Sequence, residues 1–196
     1  MPLSEPAPRE HIHTRKITCT GYRRADGLWD IEGHITDVKT YGFANHDRGE
    51  IPAGVPIHQM WLRITVGNDM VITDAEAVTD HAPFAACGEI APNYKKLVGL
   101  KIGTGLKRQI RERVGGIHGC THLTELMGPV ATTAFQTIFP IRAREAAEKQ
   151  QRQEQEGMAT PRKRENPLVN SCHGWRSDGA AVKRIAPDNY TGPDPD

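Results

Sequence analysis

The sequence predicts an α+β protein: an antiparallel sheet of hairpins followed by packed helices. Three observations predict it. Apolar residues alternate with period two through much of residues 11–81. Turn signals interrupt that alternation at ADG and GND. From about residue 92 the apolar spacing becomes helical. Strands gathered in the first half and helices in the second fit an α+β arrangement better than alternating units of a parallel sheet.

The elements follow in order. RKITCTGYRRADGLWDIEGHITDVKTYGF reads as two strands turning at ADG. On the second, Ile31, Gly33, Ile35 and Asp37 share one face, and Asp30, Glu32, His34 and Thr36 share the other. NHDRGEIPAG is a loop of turn formers. HQMWLRITVGNDMVITDAEAVTD gives a clear hairpin, in which Met60, Leu62, Ile64 and Val66 alternate with Trp61, Arg63 and Thr65. PNYKKLVGL predicts a short helix ending near Gly99. LKRQIRERVGG predicts another, with Leu106, Ile110 and Val114 one turn apart and Gly115 as the stop. Cys120 or Thr121 opens a third, whose stripe is Leu123, Leu126, Met127, Val130 and Ala134, with Pro129 as a kink site. RAREAAEKQQRQEQE continues as a charged helix or linker, and residues 157–166 read as flexible. The expected organisation is one α+β domain over 11–140 with its metal-site core at 58–135, a charged helix or linker over 141–166, and a C-terminal extension over 167–196 that docks on the domain.

Composition excludes several classes. The 196 residues carry a formal net charge of +1, so the excess of basic charge usual in nucleic-acid-binding domains is missing. No apolar run approaches the roughly 20 residues that span a bilayer. MPLSEPAPRE has no apolar core of a secretory leader, which makes the cytoplasm the expected compartment. In that setting Cys19, Cys87, Cys120 and Cys172 favour thiol or metal chemistry over disulfides.

Candidate ligands stand at element ends, where side chains from distant positions can converge. His58 precedes the first strand of the clear hairpin, Cys87 follows the second, and Cys120 opens a helix in GIHGCTHLTEL. Unpaired amides at a helix start favour a thiolate. Thiolate and imidazole together suit zinc or iron. His122 and His118 are candidates for a fourth ligand, and Asp37 or Asp80 for an oxygen donor. The bland readings are a small buried hydrophobe for each cysteine, a loop histidine for His118 and a capping or solvated residue for His122.

A second cluster lies in GYRRADGLWDIEGHITD. Arg23 and Arg24 could grip the carboxylate or phosphate of a small anionic substrate. Trp29 could stack on that substrate or pack in the core. His34 and Asp37 would form a catalytic acid–base pair if they converge. The competing reading is salt bridging across a wet sheet face. Cys172 or His173 could lend one donor from the tail, and Cys19 reads as packed mid-strand.

Two resemblances add to this. MWLRITVGNDMVITDAEAVTD, APFAACGEIAPNYKKLVGLKIG and GIHGCTHLTELMGPVATTAF resemble the hairpin, loop-helix and ligand-bearing helix of the NifU/IscU iron–sulfur scaffolds over residues 58–135. That resemblance implies a NifU/IscU-like core with an added N-terminal hairpin. It places Cys87 and Cys120 at two ligand-cysteine positions and His58 near a third. Here His58 replaces a cysteine and Gly119 replaces a histidine, so a zinc or iron ion ranks ahead of an iron–sulfur cluster. The chain from about 11 to 190 also resembles an uncharacterised bacterial family, on GYRRADGLWDIEGHITDVKTY, PIHQMWLRIT, ITDAEAVTD, GCTHLTEL and SCHGW.

Three functions stay open: a metal-binding protein with a Cys/His site, a metal-dependent lyase or hydrolase acting on a carboxylate or thioester, and an interaction module with inert cysteines. The partners expected are a small anionic ligand and a second copy of the chain, with neither nucleic acid nor membrane.

Overall fold

A computed structural model describes residues 3–156, 166 and 168–193. Its sheet is built from the alternating segments, β1 (His13–Arg23), β2 (Trp29–Lys39), β5 (Pro56–Val66) and β6 (Ile72–His81), paired antiparallel in the order β1-β2-β5-β6. A small ribbon of β3 (Phe43–Asn45) and β4 (Gly49–Ile51) occupies the loop between β2 and β5. The helices follow: a run of 3-10 turns over Ala85–Leu97, then α1 (Leu106–Val114) and α2 (Thr121–Gln155). The α+β class read from the sequence is the class observed.

The sheet is one-sided. Trp29, Ile31, Ile35, Met60, Leu62, Ile64 and Val66 are buried, and residues between them on the same strands reach the opposite face. The helices cover the buried face with the expected stripes: Leu106, Ile110 and Val114 from α1, and Leu123, Leu126, Met127, Val130 and Ala134 from α2. Helix α2 comes unusually near the first two strands. A Cβ on Gly33 would stand 2.5 Å from a Val130 methyl, and one on Gly21 would stand 2.1 Å from the Thr137 hydroxyl oxygen. Glycine at these two strand positions is therefore a packing requirement, despite its cost to strand stability.

Pro129 and Pro140 lie inside α2, which runs on without a break through the charged stretch. The sequence offered a linker there as an alternative; i,i+4 pairing such as Arg144–Glu148 fits the helical outcome. Chain contacts divide the protein into Met1–Ala143 and Arg144–Asp196. The second unit contains short helical turns and α3 (Ala180–Ile185), where extended structure was expected. The flexible stretch expected at 157–166 lies, apart from residue 166, outside the described residues. No described helix is long and apolar enough to cross a membrane.

Candidate metal centre

Three strands and one helix send polar side chains to one end of the buried face. Counting in step from the first turn, Arg15 stands opposite Asp37 on β1 and β2; on the other side of β2, Asp37 stands opposite His58 of β5. Residues directly opposite in an antiparallel pair project to the same face. Two register shifts fall beside this point, at Asp37/Val38 between β2 and β5 and at Gln59/Met60 between β5 and β6. Such bulges bend strands and re-aim side chains. His122 arrives from the first turn of α2.

Asp37 is the centre of the cluster and is 1 % exposed. Its Oδ1 accepts from Arg15 Nε at 2.8 Å and lies 3.0 Å from His13 Nε2. Its Oδ2 accepts from Arg15 Nη2 at 2.9 Å, lies 3.0 Å from His58 Nδ1 and is 4.0 Å from His122 Nε2. The His58 and His122 rings lie one over the other, with centroids 3.7 Å apart. Arg15 is held in turn by Glu125 of α2, at 2.9 Å.

The electrostatics suit metal ligation. Burial by itself would raise the Asp37 carboxyl, but the Arg15 fork, with His13 and His58, holds it below the ordinary carboxylate value. Burial lowers both His58 and His122; a neighbouring charge, His122 for the first and Arg15 for the second, lowers each further. The cluster thus offers an ionised carboxylate and neutral imidazoles, the states in which these side chains bind metals. One ligand atom from each of Asp37, His58 and His122 lies within 4.8 Å of the other two. Two atoms each about 2.1 Å from one ion stand about 3.0 Å apart at a right angle and about 3.4 Å apart at the tetrahedral angle. The His58–Asp37 spacing already meets this, and His122, 4.0 Å from the carboxylate, must move closer.

Among the described residues, this group contains no sulfur. Cys120 comes near it, with Sγ 3.9 Å from His122 Nδ1 and 3.7 Å from Met60 Sδ. Cys87 sits in the 3-10 run Ala85–Leu97. His118 is exposed in a single turn at Gly116–His118, where its carbonyl accepts from Asn93. Asp80 accepts from Trp61 Nε1 at 2.7 Å on the opposite sheet face. Cys172 is exposed and belongs to the second unit.

The second cluster is dispersed. His34 and Asp37 are an odd number of positions apart on β2, so they project to opposite faces and do not form a pair. His34 stacks on Trp61 at 3.6 Å instead. Arg24 is engaged by Asp26 and Asp30. Arg23 lies over the Trp29 ring, 5.3 Å from its centroid, and Trp29 is a core residue whose Nε1 donates to Asn68. These are the cross-strand and local contacts of the alternative reading.

Sequence reasoning missed His13, Arg15, Glu125 and Tyr94. His13 and Arg15 were legible in principle, because counting back from the ADG turn sets Arg15 against Asp37. Tyr94 is fully buried, accepts from Cys120 N at 3.1 Å and donates to Cys120 O at 2.8 Å. It pins the start of α2 and thereby His122. No local signal marks it.

The family described as Protein of unknown function (DUF2889) matches residues 13–136, well over half the chain. The chain belongs to this family. The match begins at His13 and includes every member of the Asp37 cluster. No curated protein and no solved structure matches the chain.

Proposed function

We propose that this DUF2889 protein binds a zinc or iron ion through Asp37, His58 and His122. The observation that carries the reading is the convergence of one carboxylate and two imidazoles from β2, β5 and α2 on a single point. Two histidines and one carboxylate are a ligand set used by non-haem iron and by zinc sites. Arg15 and His13 act behind it, orienting the carboxylate as outer hydrogen-bond partners do in metal centres. The donor set is poor in sulfur, which favours a single ion over an iron–sulfur cluster.

Cobalt(II) or zinc titration of metal-free protein tests this. The expected result is one equivalent bound, with a visible cobalt spectrum. His58→Ala and His122→Ala should each weaken binding by at least about tenfold, since outer-sphere partners alone typically contribute 10–100-fold. Cys87→Ala should leave binding unchanged. Unaltered affinity in both histidine variants, with their folds verified by circular dichroism, would overturn the assignment.

A second reading, a metal-dependent enzyme acting on a small anion, is favoured by the ligand count. Three protein donors leave coordination positions for water or substrate, as in catalytic sites, whereas structural sites are closed by four. Metal-dependent turnover of a panel of esters and thioesters checks it. If the loaded protein turns over none of them, the binding reading stands alone.

A further inference from the structure

Beside the cluster, α1 and α2 leave an open groove of about 1020 Å³ between them. Its floor is apolar, with Ile102, Leu106, Ile110, Met127, Ala131 and Phe135 among the lining residues. Asp37, His58 and His122 do not line it, but two of its lining residues contact the cluster. Cys120 lines the groove while its sulfur stands 3.9 Å from His122, and Glu125 lines it while gripping the Arg15 that holds Asp37. The rim is cationic. Lys107 and Arg111, one helical turn apart on α1, both line the groove and are exposed. Neither has an ion-pair or hydrogen-bond partner through its side chain among the described residues. Other arginines of the first unit are engaged: Arg108 with Glu112, and Arg113 with the carbonyls of Lys96 and Val98. The first turn of α1 carries no acidic residue and no side-chain cap, so its positive end adds to the field at Lys107.

We propose that this groove binds a medium-chain carboxylate, its apolar chain along the floor and its carboxylate on Lys107 and Arg111. An apolar channel with a few charged groups at one place is the usual form of a small-molecule site. Both parts of the ligand are needed: the floor offers a polar molecule nothing, and two free cations offer a neutral chain nothing. The proposal rests on the metal reading only in making this ligand a candidate substrate of the neighbouring centre; occupancy of the groove does not need the metal.

Calorimetric titration with decanoate, decanol and butyrate tests it, using the full chain with chelator present and again after loading with zinc. Decanoate should bind at one equivalent in both states. Decanol and butyrate should each bind at least tenfold more weakly. Lys107→Glu and Arg111→Glu, both at exposed positions that leave the core intact, should weaken decanoate tenfold or more while leaving decanol unchanged. Equal binding of decanol and decanoate, or indifference to both charge reversals, would overturn the proposal. So would no binding of decanoate, or a dimer in sedimentation that decanoate fails to dissociate, which would give the groove to a second copy. The metal assignment fails separately, by cobalt titration of the histidine variants.

Discussion

Replacing Arg15 by methionine isolates the interaction on which the centre is built. Asp37 is buried, and Arg15 supplies two of its short hydrogen bonds. Breaking a buried ion pair by removing one partner costs about 3–5 kcal/mol, because the other charge is left uncompensated. Arg15 is 37 % exposed, however, so solvent screens part of its field. His13 and His58 also remain beside the carboxylate. About 2–3 kcal/mol is the reasonable expectation, which lowers Tm by about 5–10 °C for a domain of this size. The pH dependence is the sharper diagnostic. The folded state holds the Asp37 carboxyl below its ordinary value, so the stabilisation is present above the unfolded value of about 3.9. It is lost as pH falls through the folded value. Thermal unfolding at neutral pH should therefore show the full deficit of Arg15→Met, and in acid the deficit should shrink toward zero. Adding Asp37→Asn should recover most of the loss, since the unpaired charge is then gone. A deficit that is the same at every pH, or is not relieved by Asp37→Asn, would mean that Arg15 acts through its aliphatic packing and that the charge argument is wrong.

Three further outcomes follow from the same geometry. Both His58 and His122 are lowered by burial, so the neutral form needed for ligation dominates at pH 7; metal affinity should fall only as pH drops below about 6.5, and a loss beginning above pH 7 in a cobalt titration would contradict the burial argument. Tyr94→Phe leaves the Cys120 amide without its acceptor, which should cost about 1–3 kcal/mol in denaturant unfolding and weaken metal binding through the displaced start of α2. Gly33→Val forces a side chain against Val130 and Leu126, and calorimetry should show about 1–3 kcal/mol or more of destabilisation from overpacking.

The parts of the site that were legible were those tied to a local pattern. Asp37 was assigned to the apolar face of β2 by alternation, and His58 and His122 were marked by their places at the start of a strand and of a helix. Cys87 stood out for the same reason, yet no sulfur joins the three-donor group among the described residues. Rarity of a residue type signals chemistry, but it carries no information about distance. The pairing of His34 with Asp37 shows the converse: the two are near in sequence and separated by the thickness of the sheet.

By itself, then, the sequence determined the class of fold, the faces of β2 and β5, the stripes of α1 and α2, and the positions at which strands give way to helices. These are local consequences of period and turn chemistry, each encoded within about a dozen residues. Only the tertiary structure decided that Asp37, His58 and His122 meet, that Tyr94 anchors the start of α2, and that a groove with Lys107 and Arg111 on its rim opens beside them. Those facts depend on strand order, on two bulges and on the approach of α2 to glycines in β1 and β2. They are set by how the whole chain packs, because contacts between residues roughly a hundred positions apart have no signature in either neighbourhood.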